Sequence, residues 1–211
     1  MWINPLFEAD TRRALAELVS AESLATVVAE DPLRAAHLPL LLEEEPDGSL
    51  VLLGHVPRAD PVADAVAAGD RVLCIVHGPR AYVSPDWYED VGLPTYNYAV
   101  AHLRGQAEPM EPADTRAHLV DLIRVHEERK EPAAGAWEPD EAAHDRIDRL
   151  LPAVLGFRIR VDEAQAKEKL GQNRSEEDRH VTAAQLDRSE RQEHHDVAAL
   201  MREREEPAAE R

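Results

Sequence analysis

The chain has 211 residues, 24 basic against 42 acidic side chains and a formal net charge of −18. That balance excludes a strongly cationic nucleic-acid binder, because affinity for a phosphate backbone rests on Lys and Arg. With 44% apolar residues there is material for one domain, or one domain and an appendage. The single cysteine, Cys74, lies in an apolar run, which predicts a buried structural thiol and excludes an internal disulfide. No charged-then-apolar leader opens the sequence and no apolar run reaches about 18 residues, so a cytoplasmic protein without a membrane partner is expected.

In chain order, Asp10 can cap a helix to about Val19, with Leu15, Leu18 and Val19 on one face. LATVVAE (24–30) reads as a buried strand. RAAHLPLLL (34–42) is a second strand, after a turn at Asp31-Pro32, and LVLLGHV (50–56) a third. Asp47-Gly48 between those two is a hairpin signal. PRADP (57–61) stops the third strand and starts a short helix. RVLCIVHG (71–78) predicts a fourth strand, AYVS a fifth and YNYAVAHLRGQAE a sixth. Short strands at hairpin spacing suggest an antiparallel barrel.

The period then changes. ADTRAHLVDLIRVHEER (113–129) predicts a helix whose apolar face is Leu119, Leu122, Ile123 and His126, leaving His118 an ordinary helix residue. A Pro/Ala/Gly linker (132–136) leads to a second helix, 141–156, which Pro152 bends or ends. Phe157, Ile159 and Val161 alternate with Arg158, Arg160 and Asp162 as a half-exposed strand. Beyond Asn173 the chain is charged and poor in large apolar residues, which predicts weakly packed helices and a frayed end from about Arg202. The division expected is 1–173 for the barrel with its inserted helices (about 113–156) and 174–211 for a charged helical tail.

All four tyrosines, Tyr82, Tyr88, Tyr96 and Tyr98, fall in Ala81–Gly105, interleaved with Ser84, Trp87, Asn97 and His102. A phenol needs a partner when buried, so this stretch reads as a built surface. Strand alternation puts Tyr96 and Tyr98 on one face and Asn97 on the other. No CxxC, HExxH, phosphate loop or GxSxG occurs.

HLPLLL (37–42), GHVPRADP (54–61), GPRAYVSPDWY (78–88), PTYNYAVAH (94–102) and KEKLGQNR (167–174), in that order, resemble the FMN-binding negative transcriptional regulator family over residues 2 to 180. The resemblance implies an α+β fold: a split antiparallel β-barrel of the flavin-reductase and pyridoxamine-phosphate-oxidase kind, with flanking helices, acting as a homodimer. Within it the chain looks most similar to the piperazate synthase branch, which binds heme b in place of FMN and cyclises N5-hydroxy-L-ornithine to L-piperazic acid. The departures that point there are Tyr96-Asn97-Tyr98 for Trp-Asn-Tyr, a short EDVGL link, PRADP-Val for ARANP-Trp, and His180 for a glycine.

What the resemblance implies for residues follows. His55 is the first choice for the iron ligand, with His37, His77 and His102 as competitors or pocket groups. His144, His180, His194 and His195 lie in charged, solvated stretches. Arg58 can reach a heme propionate or an FMN phosphate. Lys167 and Lys169, two of three lysines in the chain, project to one side if the strand is extended and can clamp a propionate, a phosphate or the substrate carboxylate, with Gln172, Asn173 and Arg174 adding donors. Ser84 and Trp87 would touch cofactor or partner subunit, and Tyr96 or Tyr98 would hydrogen-bond substrate or relay a proton. The alternative is an FMN-binding flavoprotein or regulator that uses the same clamp; a heme-degrading or heme-storing relative is a third reading.

Overall fold

The computed structural model of the chain describes residues 1–21, 24–89, 91–129 and 135–205. Most of the predicted 132–136 linker, Lys130 and Asp90 of the EDVGL link lie outside the described residues. The elements in order are α1 (Thr11–Ala21), β1 (Leu24–Ala29), β2 (Arg34–Glu44), β3 (Leu50–Pro57), α2 (Val62–Ala68), β4 (Arg71–Val83), β5 (Thr95–Pro109), α3 (Pro112–Glu128), α4 (Glu141–Leu150), β6 (Val154–Lys169), α5 (Glu176–Leu186) and α6 (Gln192–Glu205). Six strands close into a barrel in the order β1-β2-β3-β6-β5-β4. The paired registers are antiparallel: Val27 opposes Ala36 and Cys74, Leu41 opposes Leu53, and His55 opposes Gly156.

The chain groups into two compact units, one of Met1–Leu18, His77–Ala101 and Gln165–Arg211, the other of Val19–Val76 and His102–Ala164. In the second unit, strand alternation sends Val27, Leu40, Leu52, Phe157 and Ile159 inward, all fully buried. Glycine permits the closest approach there: a Cβ on Gly54 would lie 2.6 Å from both Leu40 and Phe157. At the β2–β3 hairpin, Gly48 takes φ +80° and the Asp47 carboxylate accepts from the Ser49 amide at 2.9 Å. Cys74 is buried as expected, and burial pushes its thiol pKa up to about 12.

In the first unit, α5 and α6 do not behave as weakly packed helices. Leu186, Val197, Ala198 and Met201 form one buried cluster with Ala81 and Leu170, and α6 continues past Arg202 to Glu205. Ser175 caps α5 by accepting from the Asp178 amide at 3.1 Å. The few large apolar residues of these helices suffice because Leu186, Val197 and Met201 meet in that one cluster.

Two further expectations need correction. The fourth and fifth strands are one thirteen-residue strand, β4. Gly78 is a contact glycine and not a turn: a Cβ there would run into Leu18 of α1 and stand 3.0 Å from Ala99. The helix read over 141–156 stops at Leu150, a 3-10 turn carries Leu151–Ala153, and β6 begins at Val154, so the half-exposed strand and KEK are one sixteen-residue strand. Among the described residues no helix is long and apolar enough to cross a membrane.

Candidate functional site

His55 sits near the end of β3, half-buried, on the strand face opposite Gly54 and Val56. Its Nδ1 lies 3.4 Å from Nε2 of His118, with ring centroids 5.5 Å apart and the planes tilted by 58°. His118 comes from α3 and is 3% exposed. Burial lowers the pKa of both rings; for His118, burial and then the neighbouring His55 outweigh Asp121 and bring it to about 4. Both imidazoles are therefore neutral at pH 7. The His55 Nε2 has no hydrogen-bond partner among the described residues. Imidazole nitrogen is a donor of the kind iron takes.

The predicted face of α3 is rotated by about one position. The buried residues are Thr115, His118 and Leu122, while His126 is exposed. Thr115 fits beneath β6 because Gly156 has no side chain; a Cβ on Gly156 would meet the Thr115 methyl at 2.8 Å and Met110 Cε at 2.9 Å. His118 follows on the same stripe and so reaches His55. A cavity of about 470 Å³ borders His118, Leu53, Met110 and the carboxylates of Asp114 and Asp121. Arg58 donates its amide to the Ala153 carbonyl at 2.9 Å, and its side chain lines a separate cavity of about 240 Å³ with Thr115 and Val154. His37 is held on the exposed face of β2 by Thr26, 3.1 Å from its Nδ1.

The first unit carries a cationic and aromatic group. Lys167 is 8% exposed, with its Nζ 5.6 Å from the ring centre of Trp2 and 5.4 Å from that of Tyr98. Lys169 Nζ donates to Thr95 Oγ1 and, at 2.7 Å, to the Tyr96 carbonyl, and lies 5.9 Å from the Phe7 ring. The two lysines share a face of β6, as alternation requires. Burial lowers the Lys169 pKa, and the charges of Lys167 and Arg174 lower it further. Positive charge thus gathers around Lys169, where an anion would be favoured. Tyr96 stacks edge-on to Tyr82 at 5.8 Å, and Asn97, on the opposite face, is buried and donates to the Met201 sulfur at 3.4 Å.

Most of the remaining candidates have structural partners. The Arg174 guanidinium lies 4.3 Å over the Tyr88 ring. Gln172 uses both ends of its amide on backbone, accepting from Leu170 at 2.7 Å and donating to Glu168 at 2.6 Å, so it staples the turn after β6. Asn173 is exposed on that turn. Ser84 accepts from the Asp86 amide at 3.3 Å, and Trp87 packs against the cluster beneath α5 and α6.

Residues 1–163 match the family described as "Putative FMN-binding domain". The chain belongs to this family. A Bacillus subtilis relative in the comparison, protease synthase and sporulation protein PAI 2, is 29% identical over 206 residues, 97% of this chain and 98% of its own. The fold recurs in the flavocytochrome Anf3 from Azotobacter vinelandii (TM-score 0.57, 17% identity, 82% of this chain and 74% of that one). It recurs also in an FAD and heme binding protein from Mycobacterium smegmatis (TM-score 0.54, 20% identity, 81% and 78%).

In this member of the FMN-binding domain family, two contributors escaped the sequence reading. Trp2 gave no signal, being far in sequence from Lys167. His118 did give one: it precedes Leu122 by four residues, so a buried stripe through Thr115, His118 and Leu122 fits the helical period as well as the stripe expected.

Proposed function

We propose that this protein is a heme-dependent piperazate synthase, cyclising N5-hydroxy-L-ornithine to L-piperazic acid with loss of water. The observation that carries the reading is the placement of His55, half-buried near the end of β3, with His118 on its Nδ1 side and no protein partner at its Nε2 among the described residues. A flavin needs no such donor. The names of two proteins that share the fold, a flavocytochrome and an FAD and heme binding protein, support heme chemistry on this scaffold.

The residues fit a heme. His55 would hold the iron, and Arg58, in the same unit, would pair with a propionate. When bound, heme supplies a Lewis-acidic iron that activates the substrate N–O bond. In the reaction N5–O breaks, a bond forms between N5 and the α-nitrogen, and the departing hydroxyl takes an amine proton to leave as water. The change is redox-neutral and needs no outside electron donor. Lys167 and Lys169, beside Tyr98, would bind an anionic group such as a carboxylate or phosphate.

A second reading has its own support: family membership favours FMN, with the lysine group holding the phosphate. The absorption spectrum of the purified protein, expressed with ample heme precursor, separates the two. A Soret band that His55→Ala abolishes, together with conversion of N5-hydroxyornithine to a product lighter by one water, is expected. A flavin spectrum, or a heme-loaded protein that leaves N5-hydroxyornithine unchanged, overturns the synthase reading.

A further inference from the structure

We infer that Lys167, Trp2 and Tyr98 form a binding site for an aromatic anion, one whose carboxylate or phosphate is carried on a planar ring. The inference rests on the lysine group of the first unit as a place for an anion and adds the class of ligand. It does not depend on whether His55 holds heme.

The first observation is a buried ammonium without a counter-ion. Lys167 is 8% exposed, yet among the described residues its Nζ meets only two aromatic rings, with no carboxylate and no hydrogen-bond acceptor. Lysine is seldom buried this far unless it is paired. The chain has 42 acidic side chains. The adjoining one, Glu168, is committed to Arg204 and Arg13. Lys169, on the same face of β6, already donates to Thr95 and the Tyr96 carbonyl. Lys167 is therefore the lysine of the pair whose donors are free. Its Nζ is not sealed off in the way that the unpaired ring nitrogens of His118 and His144 are, so a ligand can reach it.

The second observation is what stands beside that charge. The ring centres of Trp2 and Tyr98 lie 5.6 and 5.4 Å from Nζ. A ring attracts an ammonium through its quadrupole but carries no charge to neutralise it, so the full positive charge remains for an anion. Trp2 is 76% exposed, although the segment that carries it is tied down. Phe7 is buried, Glu8 pairs with Lys167 in an isolated antiparallel bridge, and the Ala9 amide donates to the Ala166 carbonyl at 3.3 Å. The indole thus stands next to a buried ammonium with most of its own surface uncovered. A ligand with a flat apolar body and an anionic head satisfies both: the body covers indole, and the head takes the ammonium.

The test is calorimetric titration of the full-length, heme-free protein with two pairs of probes: benzoate against acetate, and phenyl phosphate against inorganic phosphate. Within at least one pair, the aromatic member should bind tighter by on the order of tenfold, the scale of one ring-on-ring contact. The pair that shows this names the head group. Trp2→Ala, a change at an exposed side chain, should remove that preference and leave the non-aromatic probes unchanged. Lys167→Met should abolish binding of all four. It should melt no lower than wild type, because it removes an unpaired buried charge and keeps the length of the side chain. Equal affinity within both pairs, or wild-type binding by Lys167→Met, overturns the inference. A lower melting temperature for Lys167→Met assigns the lysine to the fold and overturns it too. The synthase reading stands or falls separately, on the Soret band and on conversion of N5-hydroxyornithine.

Discussion

Lys169 shows at the residue scale how a short stretch of sequence can prepare a charged group. Its ammonium is partly buried, and burial first and then the charges of Lys167 and Arg174 bring its pKa below the ordinary 10.5, although it donates to Thr95 and the Tyr96 carbonyl. The sign of the consequence for stability follows from linkage. Between the lowered folded pKa and 10.5, the unfolded chain holds a proton that the native protein has released. Stability should therefore rise with pH across that window, and below it the native state carries the full penalty of the buried charge. In a pH titration of 13C-methylated lysines, the Lys169 resonance is expected to move at lower pH than that of a free lysine, and Glu at position 174 should raise its midpoint. Coincidence of the Lys169 curve with the free amine would contradict the cationic cluster. The pairing of Lys167 and Lys169 was legible, because two lysines in a three-lysine chain at i and i+2 share a strand face. The orientation of Gln172 was not, since nothing in QNR distinguishes an amide bound to ligand from one closing its own turn.

At the scale of elements, β6 is the strand on which much else depends, and the sequence showed only part of it. Its first half alternates and was legible. Its second half is buried on both faces, through Ala166, Lys167 and Glu168, and so lacks the period-two pattern. The barrel and most helices could be placed from turn residues and periodicity. Gly78-Pro79, within β4, was misread as a break because a glycine required by packing and a glycine required by a turn look alike in sequence. Two substitutions test β6 directly. Glu168 is 5% exposed and accepts from Arg204 at 2.8 and 3.0 Å and from Arg13 at 3.3 Å, tying α6 and α1 to the strand. Glu168→Ala leaves two guanidinium groups without their carboxylate and should cost about 3 kcal/mol, seen as a lower urea midpoint. Gly105→Ala would drive a methyl into the Arg160 backbone carbonyl and to 2.8 Å from Ile159, where no side-chain rotation relieves it. A loss of about 3 kcal/mol is expected, and an unchanged midpoint would mean that β5 and β6 are not in contact at this glycine.

Over the whole molecule the excess of 42 acidic over 24 basic residues decides what the surface can meet. The arginines add little to counter it, because many already face carboxylates: Arg71 binds Asp162, Arg104 binds Glu163, Arg116 binds Asp148, Arg158 and Arg160 share Glu45, and Arg202 binds Asp187. A guanidinium so paired must give up its partner before it can neutralise a phosphate, and the net field around it repels the polyanion throughout the approach. We expect this chain alone not to bind duplex DNA. Fluorescence anisotropy of labelled duplex DNA should stay flat on adding micromolar protein at about 0.15 M salt. The same repulsion acts within the fold. Its range shrinks from about 30 Å at 0.01 M salt to 10 Å at 0.1 M. Sodium chloride raised from about 0.01 to 0.3 M should thus lift the melting temperature by a few degrees, more than it weakens the exposed ion pairs, each worth about 0–1 kcal/mol. A melting temperature that fell with salt would mean that the paired arginines, and not the unpaired carboxylates, dominate the electrostatics of the native state, and the case against a polyanionic partner would fall with it.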